Sequence, residues 1–315
     1  MALSISELNA VSHEYFDDAI IQEVYDEIPF LALLKSKKKI NTDGGTQIQF
    51  PIRYKALGTY QTTSPRQQIV FQSEETRTAG VVDWGYVTAT TMMHWDEKVK
   101  NSGKGKIVDL LKDKAVELKD EFYEGFSDDI WATTARPTNG IERLNTIVDA
   151  ADTYAGIAVA DDANWKAVED STNTTLTLRL LQGLRNDATF GKSKPSYHFT
   201  TRDLLSKYES ILQPHVRYDS SDVKRALDLG FDAVSFYGAA VMADPHIPAN
   251  YWFGLDLDSF ELRTHPEFAF TVSDWKEMHQ AGFPHAVSKI MTATCQLVCK
   301  LRKTSFKCSA LNADL

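Results

Sequence analysis

The stretch TQIQFPIRYKALGTYQTTSPRQQIVFQSEETRTAGVVDWGYVTATTMM, residues 46–93, carries strand-forming sequence at both ends and a middle that a core cannot use. Ile48, Phe50, Ile52 and Tyr54 alternate with Gln47, Gln49, Pro51 and Arg53. That period of two marks a strand with one apolar face, and Pro51 favours an edge position. Val82, Trp84 and Tyr86 repeat the pattern on the way back. Between the legs, Gly58 to Thr78 offers Val70 and Phe71 as its clearly buriable pair, among Gln, Thr, Ser, Arg and Glu. The segment reads as a long antiparallel hairpin with a polar tip.

Upstream, Phe16, Ile20, Val24 and Ile28 recur at helical spacing on an acidic background, and Pro29 interrupts them before the apolar hook FLALLKSKKK. The lysines Lys37, Lys38 and Lys39 read as a solvated break or a contact for an acidic partner. Downstream, Ser102 is a possible N-cap. Ile107, Leu111, Ala115, Leu118, Phe122, Phe126 and Ile130 then predict a helix to about Thr133, on the order of 45 Å long. After the turn RPTNG at 136–140, helical and strand periods alternate through LTLRLLQGLRNDATF, PSYHFTT and RDLLSKYESIL, which predicts a compact α/β unit over about 141–255. The chain then turns to strands: FELRT, FAFTVSDW, and a long one from Ser288 to Leu301. In the last, Met291, Ala293, Cys295, Leu297, Cys299 and Leu301 share a buried face.

Bulk properties exclude several classes. A chain of 315 residues can bury a sizeable core. Its 34 Lys and Arg against 43 Asp and Glu, a formal charge of −9, argue against a general nucleic-acid coat or an anionic-membrane binder. No apolar run reaches the roughly 18–20 residues of a membrane span, and Met1–Ala10 lacks the pattern of a secretory signal, so a cytosol-like compartment is expected. Three cysteines do not make a disulfide framework. Cys295 and Cys299 on one strand lie roughly 13 Å apart, beyond bridging distance.

Catalytic patterns do not emerge. In NSGKGKIVD (101–109), Gly105-Lys106 is followed by Ile107 where a phosphate loop needs Ser or Thr, and Lys100 stands where its first glycine belongs. Ser221 and Lys224 have Ser-x-x-Lys spacing without the companion motifs of that acyl-enzyme class. The histidines, among them His198, His215, His246, His265, His279 and His285, show no metal-ligand spacing. Asp128-Asp129, Asp161-Asp162 and Asp256 with Asp258 do not make a calcium loop; the last pair reads as polar positions around a crossing strand. No catalytic, cofactor-binding or metal residue is assigned, and no cofactor is expected.

The order of parts does carry a resemblance. DEIPFLALLKSK followed by GGTQIQFPIRY, then GAAVMADPHIPANYWFGLDLDSFEL with Asp244, Pro245, Pro248, Ala249 and Asn250, then CKLRKTSFKCSAL, resembles the tailed-bacteriophage major capsid proteins of Hong Kong 97 type over nearly the whole chain. The resemblance implies an α+β fold with an N-terminal arm (1–43) and an extended β-hairpin, the E-loop (44–95). It further implies a peripheral domain with a long spine helix (96–140 and 256–315) and an axial α/β domain (141–255). It implies a non-enzymatic shell protein that self-assembles as hexamers and pentamers into an icosahedral shell enclosing double-stranded DNA. The implied partners are further copies of itself, a separate scaffolding protein, a portal protein and packaged DNA through weak local contact, with no membrane. The implied setting is the virion, assembled in the host bacterial cytoplasm. Lys55 is the only lysine in the hairpin and carries no claim of a crosslink. On this reading Tyr60, Arg66, Val70, Phe71, Glu74, Glu75 and Arg77 are the candidate intersubunit contacts, because a tip that cannot pack on its own subunit finds its surface on the next. The alternatives are an encapsulin-like cellular nanocompartment shell, which shares the fold but encloses an enzyme cargo, and an α/β hydrolase, which needs a pocket of convergent polar groups.

Overall fold

The computed structural model describes residues 28–53, 58–69, 71, 75–94, 96–97, 104–159, 165–212, 233–278 and 285–312. The helix expected upstream of Pro29 and the cap expected at Ser102 lie outside them. The described chain enters on α1 (Pro29–Ser36). Pro29 takes a first-turn position, where its missing N–H leaves no bond unmade, and Pro29 through Leu34 are buried. After β1 (Ile40–Thr42), β2 (Ile48–Arg53) runs antiparallel to β3 (Arg77–Val82), from Ile48 opposite Val82 to Arg53 opposite Arg77.

Next come β4 (Gly85–Met93) and α2 (Lys104–Trp131), whose 28 residues span about 42 Å. The expected stripe holds: Ala115, Leu118, Phe122, Phe126 and Ile130 are buried, while the side chains of Ile107 and Leu111 lie outside the described set. A short α3 (Leu144–Ile147), β5 (Val168–Asp170) and β6 (Thr174–Thr175) lead to α4 (Leu178–Asp187), capped by the Thr177 hydroxyl, which accepts from the Leu180 amide. β7 (Tyr197–Thr200), α5 (Arg202–Leu212), β8 (Ala233–Phe236) and β9 (Ala239–Ala243) complete the alternating region. The remainder is β10 (Trp252–Leu255), β11 (Phe260–Thr264), β12 (Phe270–Val272), β13 (Lys276–Glu277), β14 (Val287–Cys299), a 3₁₀ turn at Arg302–Thr304, β15 (Phe306–Cys308) and β16 (Leu311–Asn312).

Among the described residues the strands form two six-stranded sheets and two two-stranded ladders. The first sheet is organised by β14, which pairs with β4, β11, β12 and β13. β4 and β12 both pair across Met291–Ala293, so they occupy opposite edges of it. The second sheet runs β5-β15-β10-β7-β9-β8. Sequence position groups 306–308 with the later strands, yet β15 lies in this second sheet, between β5 and β10. One apolar cluster joins α1, α2 and both sheets: Phe30 meets Trp131, Phe199 and Phe260 edge-on, and Trp131 packs on Phe199 and Phe253. A second cluster, with Leu181, Leu204, Tyr208, Phe236 and Phe306, lies within the α/β unit.

Four expectations are corrected. Among the described residues the two legs of the hairpin pair over Ile48–Arg53 and Arg77–Val82, and at the root the pairing stops because β4 leaves for β14. Gly85 permits that departure: a Cβ there would lie 2.8 Å from the Cys295 carbonyl oxygen and 3.1 Å from that of Gly140. β14 is buried on both faces from Cys295 to Cys299, where Gln296 accepts from the Glu142 amide through Oε1 and donates to the Asp83 carbonyl through Nε2. The lysine run is not simply solvated, since Lys37 Nζ lies 3.1 Å from Asp258 Oδ1 and Lys39 Nζ donates to the Asp258 carbonyl at 2.8 Å. Asp256 and Asp258 sit in the turn between β10 and β11, where buried Asp256 accepts from Ser259 Oγ.

Cys295, Cys299 and Cys308 are all free and buried. Burial pushes the first two thiols up to about 12 and the third to about 11. Thiol titration of the native protein should therefore find no fast-reacting group at pH 8, and full reactivity after denaturation. A Cys295–Cys299 bridge in a nonreducing digest would contradict the strand register.

Candidate assembly surface

The hairpin is fixed at its root. Ile48, Phe50, Ile52 and Val82 are buried, and the Val81 amide donates to the Ala155 carbonyl across the molecule. Gly80 faces Phe50 and Ile52 so closely that a Cβ would sit 2.5 Å from Ile52 Cδ1. Trp84 Nε1 donates to the carbonyl of Gly45, whose φ of 107° favours glycine, and Gln47 Nε2 donates to Asp83 Oδ1.

The far end differs. Tyr60 and Phe71 are each 94% exposed, and Arg66, Glu75 and Arg77 are exposed as well. Val70 and Glu74 lie outside the described residues. The backbone folds locally at Ser64–Gln67, where the Gln67 amide donates to the Ser64 carbonyl. Two aromatic rings in water at the end of an anchored hairpin are apolar surface without cover. Burying each on a partner is worth roughly 1.5–3 kcal/mol.

The body of the molecule offers a complementary groove that no sequence pattern announced. β4 and α2 diverge around a groove of about 560 Å³, floored by Leu118, Phe122 and Phe126, walled by Val87 and Ala89, and rimmed by Glu117, Glu121 and Asp129. Among the described residues β4 pairs only with β14, so its other edge is unpaired. The basic tip residues match the acidic rim; the rest of the exposed lining is more polar than apolar, with Thr88, Thr90 and Thr91 beside the partly buried Val87 and Ala89 and the buried Leu118, Phe122 and Phe126 beneath.

Charge also organises the interior. Arg302 is fully buried and donates to five backbone carbonyls: Ile147 at 2.7 Å through Nε, Asp152 and Trp165 at 3.1 and 3.2 Å, Thr146 and Asp149 at 3.1 and 3.0 Å. Its guanidinium lies over the rings of Tyr154 and Trp165. Burial works against the charge, but a guanidinium keeps its proton, and these acceptors use its whole donor fork. Beside it, Lys307 Nζ reaches Asp149 Oδ2 at 2.5 Å and Glu169 Oε1 at 3.3 Å. Burial alone raises the Asp149 carboxyl, but Lys307 and the amides of Ala151 and Asp152 outweigh it and hold the group below the usual carboxylate range. These contacts fix the loop after α3 to the last strands. His198 is buried among Trp252, Phe236 and Phe306, with Trp252 Nε1 donating to its Nδ1. Among the described residues no group of three His, Cys, Asp or Glu is placed to hold a metal ion, and no helix is long and apolar enough to cross a membrane.

The sequence matches no protein-family model and no curated relative. The fold does have counterparts among solved structures. The chain is similar to the cyanophage A-1(L) capsid asymmetric unit, with a TM-score of 0.66 and 17% identity, over 91% of this chain and 93% of that one. It is similar to the capsid of a native GTA particle (TM-score 0.58, 9% identity, 88% and 89% covered) and to a structure of Mycobacterium phage Bobi (0.56, 10%, 88% and 89%). At these identities the likeness is one of fold. The architecture is the α+β fold of Hong Kong 97-type phage capsid proteins.

Proposed function

We propose that the chain is the major capsid protein of a tailed bacteriophage, assembling as hexamers and pentamers into an icosahedral shell around double-stranded DNA, with the virion as its location. The observation that carries the reading is the hairpin anchored at its root with Tyr60 and Phe71 almost wholly in water. A monomer leaves that surface uncovered; a shell of identical subunits covers it once per copy. The β4–α2 groove of a neighbour is the acceptor this reading favours, with Arg66 and Arg77 facing the carboxylates of Glu117, Glu121 and Asp129. Val70, Glu74 and Glu75 are further contact candidates of the hairpin, the two carboxylates for a surface other than this acidic rim. On the same reading the chain divides into arm (1–43), hairpin (44–95), peripheral (96–140 and 256–315) and axial (141–255) parts. A separate scaffolding protein and a portal protein assist assembly.

Trypsin and a deletion test this. In the free subunit, cleavage after Arg66 should be the first cut, because the exposed tip opens at little cost. In assembled particles the same bond should be cut at least tenfold more slowly. Removing Thr59 to Glu75 and joining the legs with a short Gly-containing turn should leave the circular dichroism nearly unchanged while abolishing closed shells. Equal cleavage rates in subunit and particle, or normal shells from the deletion, would remove the hairpin from the assembly surface. Particles holding a protein cargo in place of DNA would move the chain to the nanocompartment class.

A further inference from the structure

Residues 1–27 contain seven Asp and Glu and no Lys or Arg; the first basic residue of the chain is Lys35. Outside that segment the chain is nearly balanced, with 36 acidic against 34 basic residues. The negative surplus is therefore not spread over the molecule but collected in one stretch.

The described structure holds a site of the opposite character. A cleft of about 800 Å³ opens where the end of α1 meets the loop before β7, lined by Lys37, Lys38, Lys192 and Lys194 with Ser193 and Ser196. Helix C-termini favour cations, and that accounts for the lysines that follow α1. It does not account for Lys192 and Lys194, which come from a separate loop. That loop is pinned: Phe190 and Ser193 exchange backbone hydrogen bonds at 2.9 and 3.1 Å, Gly191 turns between them with φ 63°, and Lys303 Nζ lies 4.8 Å from the Phe190 ring centroid. The acidic groups of the cleft are already engaged. Asp258 is paired with Lys37, and Asp256, its carboxyl pushed up by burial, accepts from Ser259. Among the described residues Lys38, Lys192 and Lys194 have no carboxylate partner. Ser196 Oγ is buried without a hydrogen-bond partner, so one donor in the wall is unused.

We propose that this lysine cleft is the docking site for the acidic N-terminal segment, residues 1–27, of a neighbouring copy, with Glu14, Asp17 and Asp18 as the carboxylates that meet Lys38, Lys192 and Lys194. The inference rests on the shell reading above for the presence of a neighbour. Volume favours a short peptide stretch. Complementary charge favours this stretch, which carries seven carboxylates and no Lys or Arg, over the remainder of the chain, where acidic and basic residues nearly balance. The shell reading supplies the neighbour; about four extended residues would also span the roughly 12 Å from Pro29, at the remote end of α1, to the cleft of the same copy, and isotope mixing separates the two routes.

A fluorescein-labelled peptide of residues 1–27 should bind the full-length subunit, weaken steeply between 50 and 300 mM salt, and bind the K192E/K194E variant at least tenfold more weakly. K192R/K194R should bind within about twofold of wild type. Equal binding to K192E/K194E and wild type, or no binding to either, overturns the proposal. Binding of a 20-bp DNA duplex through the same lysines without binding of the peptide overturns it in favour of nucleic acid. In the full chain, E14K/D17K/D18K and K192E/K194E should each reduce assembly, and their combination should restore it. Carbodiimide crosslinking of a mixture of ¹⁴N and ¹⁵N subunits should give mixed-isotope peptides joining Lys192 or Lys194 to the N-terminal segment; links within one copy only overturn docking in trans. If no particles form under any condition, the shell reading fails while peptide binding still reports on the cleft.

Discussion

Arg302→Met should leave little folded protein. Methionine keeps the length and apolar stem of the side chain but strands the buried carbonyls of Ile147 and Trp165 and removes a donor from the half-buried ones of Thr146, Asp149 and Asp152, of which Asp149 keeps the Ala167 amide. Each unsatisfied buried group costs about 1–3 kcal/mol, so these two alone amount to about 2–6 kcal/mol, comparable with the whole stability of a marginal domain. Arg302→Lys should recover only part of this, because an ammonium has three donors and no planar face to lie over Tyr154 and Trp165. Urea unfolding of wild type and R302K, with the soluble yield of R302M, measures the effect. A well-folded R302M within 1 kcal/mol of wild type would show that these carbonyls find other partners.

Stability should also fall in acid through His198. Burial, with a smaller contribution from the Arg185 charge, lowers its pKa to about 3, against about 6.5 in the unfolded chain. Between those values the unfolded chain binds a proton that the native chain refuses. Stability therefore rises with pH across that window and is lost as pH falls from about 6.5 toward 3. At about 1.4 kcal/mol per unit, lowering the pH from 7 to 4 removes about 3 kcal/mol through this one side chain. Other groups titrate in the same range: Glu142, Asp244 and Asp256 are raised by burial and act in the opposite sense, while Glu261 is held low by Lys300 and Arg263 and adds to the loss. The comparison with His198→Gln isolates the histidine. Glutamine can accept from Trp252 without titrating, so the variant should be modestly less stable at pH 7 and overtake wild type below about pH 5. Parallel stability–pH curves for the two proteins would show that His198 does not titrate on unfolding.

The two halves of the problem were unequally legible. Elements with a strong period were readable: the stripe from Ala115 to Ile130 is the buried face of α2, and the alternation from Ile48 to Arg53 is β2. Where elements go after they end was not. Nothing around Trp84 shows that the return leg leaves its partner at Val82 for a strand some two hundred residues later; that depends on Gly85 passing close to the Cys295 carbonyl. Local pattern reports one neighbour, and Gln296, among alternating residues, gave no sign that both faces of its strand are covered. The exposed tip was legible because composition alone excludes it from a core. The groove between β4 and α2 was not, because a concavity belongs to two elements and to the angle between them. Arg302 was equally hidden. In CKLRKTSFKC it stands among Lys300, Lys303 and Lys307, and no rule of sequence separates the two buried cations, Arg302 and Lys307, from the two more exposed ones.

The position of β14 along the chain sets an order of events during synthesis. Every strand it pairs with, β4, β11, β12 and β13, is made before it, and Arg302 and Lys307 come later still than the loop they hold. While the ribosome adds residues 95 to 286, β4 has no template to join, and the second sheet, which needs β15 between β5 and β10, cannot be complete before β14 of the first sheet has been made. Closure of that sheet is thus a late event with long loops to close, which makes it slow and concerted. On the shell reading proposed above, a nascent subunit cannot offer its finished β4–α2 groove to a neighbour until its own last strands are in place, and chain completion then acts as a timer that keeps half-made subunits from joining.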